Sequence, residues 1–562
     1  MKTLLKNAFV VNVFTDEIQK QNVLIEDERI LGVGDYADEE AERVYDYNGK
    51  FICPGLIDGH IHIESTMLLP EELVKCVLPH GTTAIVADPH EIANVCGADG
   101  IRYMLKASEG LPMDVYFTAS SCVPATPFDE AGAEMHAQDL KEFYREPRIL
   151  GLAEMMNYPG VLFKDPDVLA KIADAKAAGK VVDGHAPLLS GRELDAYVAA
   201  GVESDHECSN LEEAVEKIGK GQYIMIREGT AARNLQSLIG LFDPKYNHRC
   251  LLVTDDCHPT DLLNKGHIDN IIRRAVECGA DPLIAIRMAS LQAAEYFRLR
   301  GYGAVAPGYV ANLTVVDDLN NFHVTDVFMH GKEVVRKGKL LEFKRPEVDA
   351  ELEQKVRETF AVNPLSPDDF VIREKNGPCR VIGVIPGQII TEECIEEIHF
   401  DEHSGIDVSR DILKLAVIER HHKTGHMGIG FIRGIGMKEG AIASSVSHDS
   451  HNIIVIGTND ADMAEAANRI ISMGGGNVVI KDGKEIARMA LPIAGLMSDF
   501  PAKDTADFNA RVRNAVYELG TPKEVEPFMN MAFVSLPVIP ALKMSTQGLI
   551  DVTKFERVPL KL

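Results

Sequence analysis

Short apolar runs alternate with longer amphipathic stretches through residues 51–304. The short runs have the length and the Val, Ile and Ala content of buried strands, and the longer stretches repeat apolar residues at helical spacing. Strands that alternate with helices indicate βαβ units and a parallel sheet. The predicted strands are 51–61, 83–87, 115–119, 149–153, 180–183, 202–205, 222–226 and 250–254.

The amphipathic stretches between these strands predict helices on the outside of the sheet. About eight such units fit a closed (β/α)8 TIM-like barrel, although about 200 residues is compact for a fold that usually takes ~250. An open doubly wound sheet is the alternative, but no predicted strand is followed by G-x-G-x-x-G. The predicted helices are 70–78, 93–106, 166–178, 191–200 and 211–218, with 281–299 as a closing helix.

The segments on both sides of the barrel are predicted to form separate structural units. Residues 1–50 and 305–345 show short strands and turns, and we expect them to assemble into one composite β-sandwich. The barrel domain then spans residues 51–304. Residues 346–562 are predicted to form a C-terminal α/β (α+β) domain.

Length and charge narrow the class of protein. A chain of 562 residues exceeds one ordinary hydrophobic core, so several domains are expected. The formal net charge of −27 argues against nucleic-acid and anionic-membrane partners, which need basic surfaces. The negative charge therefore favours a neutral or cationic small-molecule substrate. We also expect a homo-oligomer, a dimer or larger.

The cysteines and the N-terminal residues indicate the compartment. Ten cysteines are scattered without a C-x-x-C pair, which favours reduced thiols over a secreted disulfide framework. Lys6 and Asn7 interrupt the first apolar run, so it does not resemble a signal peptide. No stretch approaches the roughly 20 apolar residues that span a bilayer. The sequence therefore predicts a cytoplasmic protein.

The predicted strands end in side chains that can bind a metal or move a proton. Residues two apart on a strand face the same side, so His60 and His62 are presented together at the end of the first strand. Any single buried histidine or acid could instead serve only core hydrogen bonds. In a barrel, however, all carboxyl ends meet at the rim where active sites lie. The groups at the later strand ends include Asp88, His90, Glu91, Glu154, His185, His206, Arg227, Glu228, Asp255, Asp256 and His258.

Four imidazoles and two carboxylates on this rim suit a pair of divalent ions. Glu154 is the predicted bridge, with His60, His62 and Asp255 on one ion and with His185 and His206 on the other. Imidazole and carboxylate ligands without thiolate are compatible with Zn²⁺, Mn²⁺ or Fe²⁺.

A metal pair of this kind predicts hydrolysis at an electrophilic sp² carbon. Metal binding lowers the pKa of water from 15.7 to about 7 and so supplies hydroxide at neutral pH. A carboxylate must then carry a proton to the leaving nitrogen, and Asp255 is the predicted shuttle. Glu64 is a second candidate, because it would share a face with His60 and His62 if the strand continued; it could equally be a loop or helix-capping acid.

The sequence indicates the substrate-binding residues less clearly than the metal ligands. His448 and His451 flank an acid in a polar loop before a predicted strand. This loop either satisfies its own hydrogen bonds or reaches the barrel mouth to contact substrate or metal. Together with Arg227 and His90 on the rim, these histidines are the predicted substrate-binding residues.

The motif from Pro54 to His62, PGLIDGHIH, is similar to the first-strand signature of the amidohydrolase superfamily. Its continuation through Glu64 and Ser65, together with segments 88–94, 254–256 and 447–452, resembles the bacterial adenine deaminases along essentially the whole chain. The resemblance implies hydrolysis of adenine to hypoxanthine and ammonia in purine salvage, with Mn²⁺ or Fe²⁺ in a binuclear site.

The six predicted ligands match the metal positions of the superfamily, with one departure. Many members bridge the metals with a modified lysine, whereas Glu154 occupies that position here. Two alternatives stay open: a different amidohydrolase acting on a cyclic amide or another aminopurine, and a non-catalytic scaffold on the same barrel.

Overall fold

Eight parallel strands form the centre of the molecule. The computed structural model describes residues 1–230, 232–386, 388–400 and 404–562. The strands pair in sequence order, as one group of five and one of three. The strand bounds are Leu56–Ile61, Thr82–Ala87, Asp114–Ala119, Ile149–Met155, Val181–Gly184, Ser204–Asp205, Tyr223–Arg227 and Cys250–Val253.

Two backbone hydrogen bonds connect these groups into a ring. The Glu203 amide donates to the Val182 carbonyl at 2.8 Å, which links the fifth strand to the sixth. The Asp255 amide donates to the His60 carbonyl at 2.9 Å, which links the eighth strand to the first. The prediction of a TIM-like barrel is confirmed.

Helices connect the barrel strands, and several begin at side-chain caps. Asp165 accepts from the amides of Asp167 and Val168, and Asn210 accepts from the amide of Glu213. The predicted closing helix 281–299 is divided in two around Ser290, whose φ of −143° is not helical. The helices are Pro70–Val77, His90–Ala107, Ala137–Leu140, Tyr158–Leu162, Pro166–Ala177, Gly191–Ala200, Leu211–Gly219, Pro259–Lys265, Ile268–Glu277, Pro282–Met288 and Leu291–Tyr296.

The predicted strand 51–61 is also divided, at Gly55. Phe51–Pro54 pairs with Leu313–Val316 outside the barrel, and only Leu56–Ile61 belongs to the barrel. A Cβ at Gly55 would lie 2.2 Å from Thr83 Oγ1, so the close approach of the two strands requires glycine.

Both flanks of the barrel segment contribute to one hydrogen-bonded sheet of nine strands. Leu5, Ile52, Leu313 and Phe328 are fully buried in its core, so the two flanks share a single hydrophobic cluster. The strands are Lys2–Asn12, Glu17–Glu26, Arg29–Gly34, Arg43–Asp46, Phe51–Pro54, Leu313–Val316, Val324–Met329, Lys332–Arg336 and Lys339–Leu340.

The C-terminal residues form an eight-stranded mixed sheet covered by helices. Its pairs are antiparallel except for Gly377–Val384 with Met427–Arg433. The remaining strands of this sheet are Thr391–Ile398, Leu413–Ile418, Ala441–Ser444, Ile453–Gly457, Gly476–Lys481 and Lys484–Ala490. The helices and the strands of a further small sheet are Ala350–Arg357, Asp460–Met473, Ala502–Glu518, Pro527–Val534, Leu542–Ser545, Gly548–Asp551 and Glu556–Arg557.

The C-terminal domain lies over the carboxyl ends of the barrel strands. His422 Nε2 donates to the Ala131 carbonyl at 2.9 Å, and Asn452 Nδ2 donates to the Glu130 carbonyl at 2.9 Å. These contacts place segment 447–452 above the barrel rim. Among the described residues, none of the helices combines the length and apolarity needed to cross a membrane.

Candidate metal centre

Four predicted ligands converge at the end of the first barrel strand. His62 Nε2 lies 3.4 Å from Glu154 Oε1 and 3.2 Å from Asp255 Oδ1. His60 Nε2 lies 3.9 Å and 3.7 Å from the same two oxygens. All four side chains are buried. We call these four atoms the first ligand group; they surround one point, as the donors to a single ion would.

A second ligand group shares the same glutamate. His185 Nδ1 lies 2.6 Å and His206 Nε2 lies 3.1 Å from Glu154 Oε2, and the two nitrogens are 3.3 Å apart. Glu154 therefore turns one oxygen toward each group, which is the arrangement of a bridging carboxylate.

His60 and His62 of the first group differ in their surroundings. His62 Nδ1 donates to the Asp88 carbonyl at 3.1 Å, and its Nε2 faces Glu154 and Asp255. Burial would lower the pKa of His62, but the hydrogen bond to Asp255 outweighs burial and holds the pKa well above its usual value, so an ion would bind in exchange for the Nε2 proton. His60 Nε2 is buried and, in the described part of the chain, has no hydrogen-bond partner. Burial, aided by His206 and His62, lowers the pKa of His60 well below its usual value. A neutral, orphaned imidazole of this kind fits a metal ligand.

Asp255 is held by an arginine from the neighbouring strand. Its backbone has a positive φ of 60°, and its Oδ2 accepts from Arg227 Nη1 at 2.5 Å. Arg227 also pairs with Glu207 Oε1 at 2.5 Å. Arg227 was predicted to bind substrate. Its guanidinium lines the cavity that contains the predicted ligands, but it also holds one of them, Asp255, in place. Glu207 is absent from the predicted site residues, although its place directly after His206 marks it as a rim group.

Glu64 lies apart from both ligand groups. The strand ends at Ile61, so Glu64 does not share a face with His60 and His62; it belongs to the short 3-10 turn Glu64–Thr66. Its Oε1 accepts from the Ile92 amide at 3.1 Å, while its Oε2 has no partner within the described residues. Burial raises the pKa of Glu64 to about 7. The cavity lined by His62, Glu154, His185, His206 and Asp255 is called the metal cavity below. Glu64 lines a cleft next to it.

That cleft and the metal cavity meet at three shared residues: Asp256, His448 and Phe533. The metal cavity has an apolar side contributed by the C-terminal domain, formed by Ile389, Phe533, Leu536 and Ile539. An apolar wall opposite a polar metal centre suits a flat heterocycle.

The predicted substrate-binding histidines occupy different places. His90 lines the metal cavity at the start of helix His90–Ala107, with its Nδ1 2.9 Å from Asp88 Oδ2. His448 also lines it and stacks on Phe533, with ring centroids 4.6 Å apart. His451 does not line it; its Nε2 is bonded to Glu91. Asp449, which was not predicted, lines the cavity, and its Oδ2 is unpartnered among the described residues.

The chain is similar to known proteins along nearly its full length. The Amidohydrolase family profile matches residues 51–334, and the Adenine deaminase C-terminal domain profile matches residues 388–556. An adenine deaminase of Desulfatibacillum aliphaticivorans is 46% identical over 560 residues, covering 99% of this chain and 96% of the relative. Adenine deaminase 2 of Carboxydothermus hydrogenoformans is 45% identical, covering 100% and 97%.

The chain belongs to the adenine deaminase family.

The two matched profiles cover both the predicted metal ligands of the barrel and the cavity residues of the C-terminal domain. All six predicted ligands fall inside the segment matched by the amidohydrolase profile, and that family implies a divalent metal. His448 and Asp449 fall inside the segment matched by the adenine deaminase C-terminal profile. Among solved structures, dihydropyrimidinase from Brevibacillus agri NCHU1002 aligns with 61% of this chain and 96% of its own, at 18% identity and a TM-score of 0.48.

Proposed function

We propose that this chain hydrolyses adenine to hypoxanthine and ammonia as a step of purine salvage. One observation carries the proposal: two groups of ligand atoms share Glu154 in a chain 46% identical to an adenine deaminase over nearly its full length. The apolar wall across the cavity provides a surface for the flat purine ring.

We assign the metal ligands as two sets joined by Glu154. His60, His62 and Asp255 would hold one ion, and His185 and His206 would hold the other. Donors of nitrogen and oxygen without sulfur are compatible with Mn²⁺, Fe²⁺ or Zn²⁺. The resemblance to the adenine deaminases favours Mn²⁺ or Fe²⁺ among these. When bound, such a pair makes water nucleophilic near neutral pH and stabilises charge that develops at C6 of adenine.

The chain's own carboxylates then move the protons. Asp255 Oδ1 is one of the atoms of the first ligand group, so this carboxylate can accept the proton of the attacking water and pass it to the leaving amino nitrogen. Arg227, bonded to Oδ2, fixes the direction of that carboxylate. Glu64, whose Oε2 is unpartnered among the described residues, lines the adjoining cleft and is the second candidate.

Substrate contacts come from both domains. His90 and His448 line the cavity and are the direct contacts that we propose. Arg227 contributes through Asp255, and His451 through Glu91. The purine edge is thus contacted by His90 of the barrel and by His448 of the C-terminal loop.

The function is tested by a screen of nucleobases and cyclic amides after reconstitution with Mn²⁺, Fe²⁺ or Zn²⁺. Hypoxanthine and ammonia should form in equal amounts from adenine. Opening of a cyclic amide, or deamination of another aminopurine with adenine untouched, would establish one of the alternative amidohydrolase activities instead.

We also propose the finer organisation of the chain. Residues 1–50 and 305–345 form a composite β-sandwich, 51–304 the catalytic barrel, and 346–562 the domain that completes the site. All ten cysteines lie in the described part of the chain as free thiols, which supports a reducing cytoplasm. The proposed homo-oligomer is tested by light scattering, in which a mass of one chain would contradict it.

A further inference from the structure

A single barrel carboxylate holds two imidazoles of the C-terminal domain. Glu91, near the start of helix His90–Ala107, is 2% exposed. Its Oε1 lies 2.7 Å from His448 Nδ1, and its Oε2 is bonded to His451 Nε2. Both histidines lie in segment 447–452. Glu91 therefore uses its whole carboxylate to fasten this loop over the barrel.

The spacing of these three side chains would also allow a metal ion, since their ligand atoms lie within 4.8 Å of one another. The hydrogen bonds favour a different arrangement. The Ser447 amide can only donate, and it donates to His451 Nδ1 at 3.3 Å. Neutral His451 therefore carries its proton on Nε2, which makes that nitrogen a donor to Glu91 and not a ligand.

Charge supports this arrangement. Burial would raise the pKa of Glu91, but His448 and His451 outweigh it and hold the pKa well below the usual value. Burial would lower the pKa of His448, but Glu91 overcomes it and raises the pKa to about 9. Near neutral pH the carboxylate is ionised and the His448 ring is an imidazolium.

Two contacts orient the His448 ring. Its Nδ1 is fixed by Glu91, and its face is stacked on Phe533 at an interplanar angle of 24°. Its Nε2 makes no hydrogen bond within the described ranges, and the ring lines both the metal cavity and the adjoining cleft. The free N–H is thus available to a ligand.

We propose that Glu91 is a positioning residue that acts through His448: it seats the C-terminal loop on the barrel and directs the His448 Nε2–H toward the bound substrate. The proposal rests on the proposed deamination. It assigns to the C-terminal domain a donor for a ring nitrogen or the leaving amine of an aminopurine.

The test compares two interdomain carboxylates. Glu130 also receives C-terminal side chains, with His426 Nδ1 at 2.7 Å and the Thr546 hydroxyl bonded to its other oxygen, but it does not line either cavity. In Mn²⁺-loaded protein, Glu91→Gln should lower kcat/KM for adenine about 10- to 100-fold, the scale of a misplaced catalytic group. Glu130→Gln should change it less than about threefold, because the Glu130 side chain lines neither cavity and makes no contact with His448. Both variants should keep the wild-type metal content.

A double variant then shows whether the effect of Glu91 on kcat/KM passes through His448. If Glu91 acts through His448, the double variant Glu91→Gln/His448→Gln should be no slower than His448→Gln alone. Multiplied effects, or equal losses in Glu91→Gln and Glu130→Gln, would overturn the proposal. Loss of bound metal in Glu91→Gln would also overturn it, because it would make Glu91 part of a metal site.

A second measurement does not depend on turnover. Histidine-selective NMR should show the pKa of His448 lower in Glu91→Gln than in the wild type, and unchanged in Glu130→Gln. The groups that face His448 are Glu91, Asp256, His258, Asp449 and His451. An unchanged pKa would contradict the proposal even if adenine proved not to be the substrate. If Glu91→Gln fails to fold, Glu91→Asp, which keeps the charge but shortens its reach, should show the same His448-dependent loss.

Discussion

The two sides of the site are built by different means. On the barrel side, His60, His62 and Asp255 converge because parallel strands end at one rim, and each of these ligands lies within two residues of a strand end. On the opposite side, His448 and Asp449 reach the cavity from a separate domain, through contacts made far along the chain. The difference teaches that changes to a barrel ligand should remove metal, whereas changes to the C-terminal loop should spare metal and alter substrate binding or turnover.

The largest effect is expected from removing a ligand on the barrel side. His60→Ala should lose bound metal and reduce adenine turnover to background while the chain stays folded, because the orphaned Nε2 of His60 has no role among the described residues except a ligand's. Metal analysis and circular dichroism measure the two results. His323→Ala, at a side chain that is 71% exposed, is the matched control and should change neither. Full metal stoichiometry in His60→Ala would refute the ligand assignment.

Asp255→Asn should produce the next largest effect. Loss of a positioned proton carrier lowers kcat by about 10²- to 10⁴-fold. Binding of adenine should weaken less, because the shuttle acts mainly in the transition state. The comparison is Glu64→Gln, which should lower kcat less since Glu64 lies outside both ligand groups. A kcat near the wild-type value in Asp255→Asn would remove this residue from the mechanism.

The barrel side was largely predictable because its information is local. Strand and helix periods in the barrel segment predict most element bounds to within a few residues, and strand ends then predict His60, His62, Glu154, His185, His206 and Asp255 as neighbours. Local pattern could not show where the first strand ends. The strand stops at Ile61, which moves Glu64 away from the ligands.

The C-terminal side was only partly predictable because its contacts are long-range. The acid between two histidines marked segment 447–452 as a candidate, but no local signal pairs His448 and His451 with Glu91. The same limit applies to Arg227, whose two carboxylate partners follow other strands and depend on how the barrel closes.

Arg227→Gln sharpens the comparison further. Removing the guanidinium leaves the buried Asp255 and the half-buried Glu207 without their cation. Breaking a buried pair such as Arg227–Asp255 costs about 3–5 kcal/mol. The free energy of unfolding and kcat should both fall, with KM little changed. A rise in KM alone would show instead that Arg227 binds the substrate directly.

The smallest effect is a pH dependence that belongs to the loop. His448 has a pKa raised from 6.5 to about 9, so its stabilising contribution is complete below about pH 6.5 and is lost as the pH rises through about 9. The shift corresponds to about 3 kcal/mol of unfolding free energy at most. His451 stays neutral throughout this window, since burial lowers its pKa to about 4.

Denaturant unfolding between about pH 7 and about pH 10 measures this loss. The wild-type protein should lose more stability over the interval than His448→Gln, which has no imidazole to titrate. Equal losses in the two proteins would show that the Glu91–His448 pair does not contribute to docking of the C-terminal domain.

The most direct test of the central claim is a titration of metal-free protein with Mn²⁺, followed by the rate of hypoxanthine and ammonia formation from adenine. Two ligand groups that share Glu154 predict that the rate rises until two ions are bound per chain and then levels off. A plateau at one ion per chain, or turnover that does not depend on metal, would contradict the binuclear site.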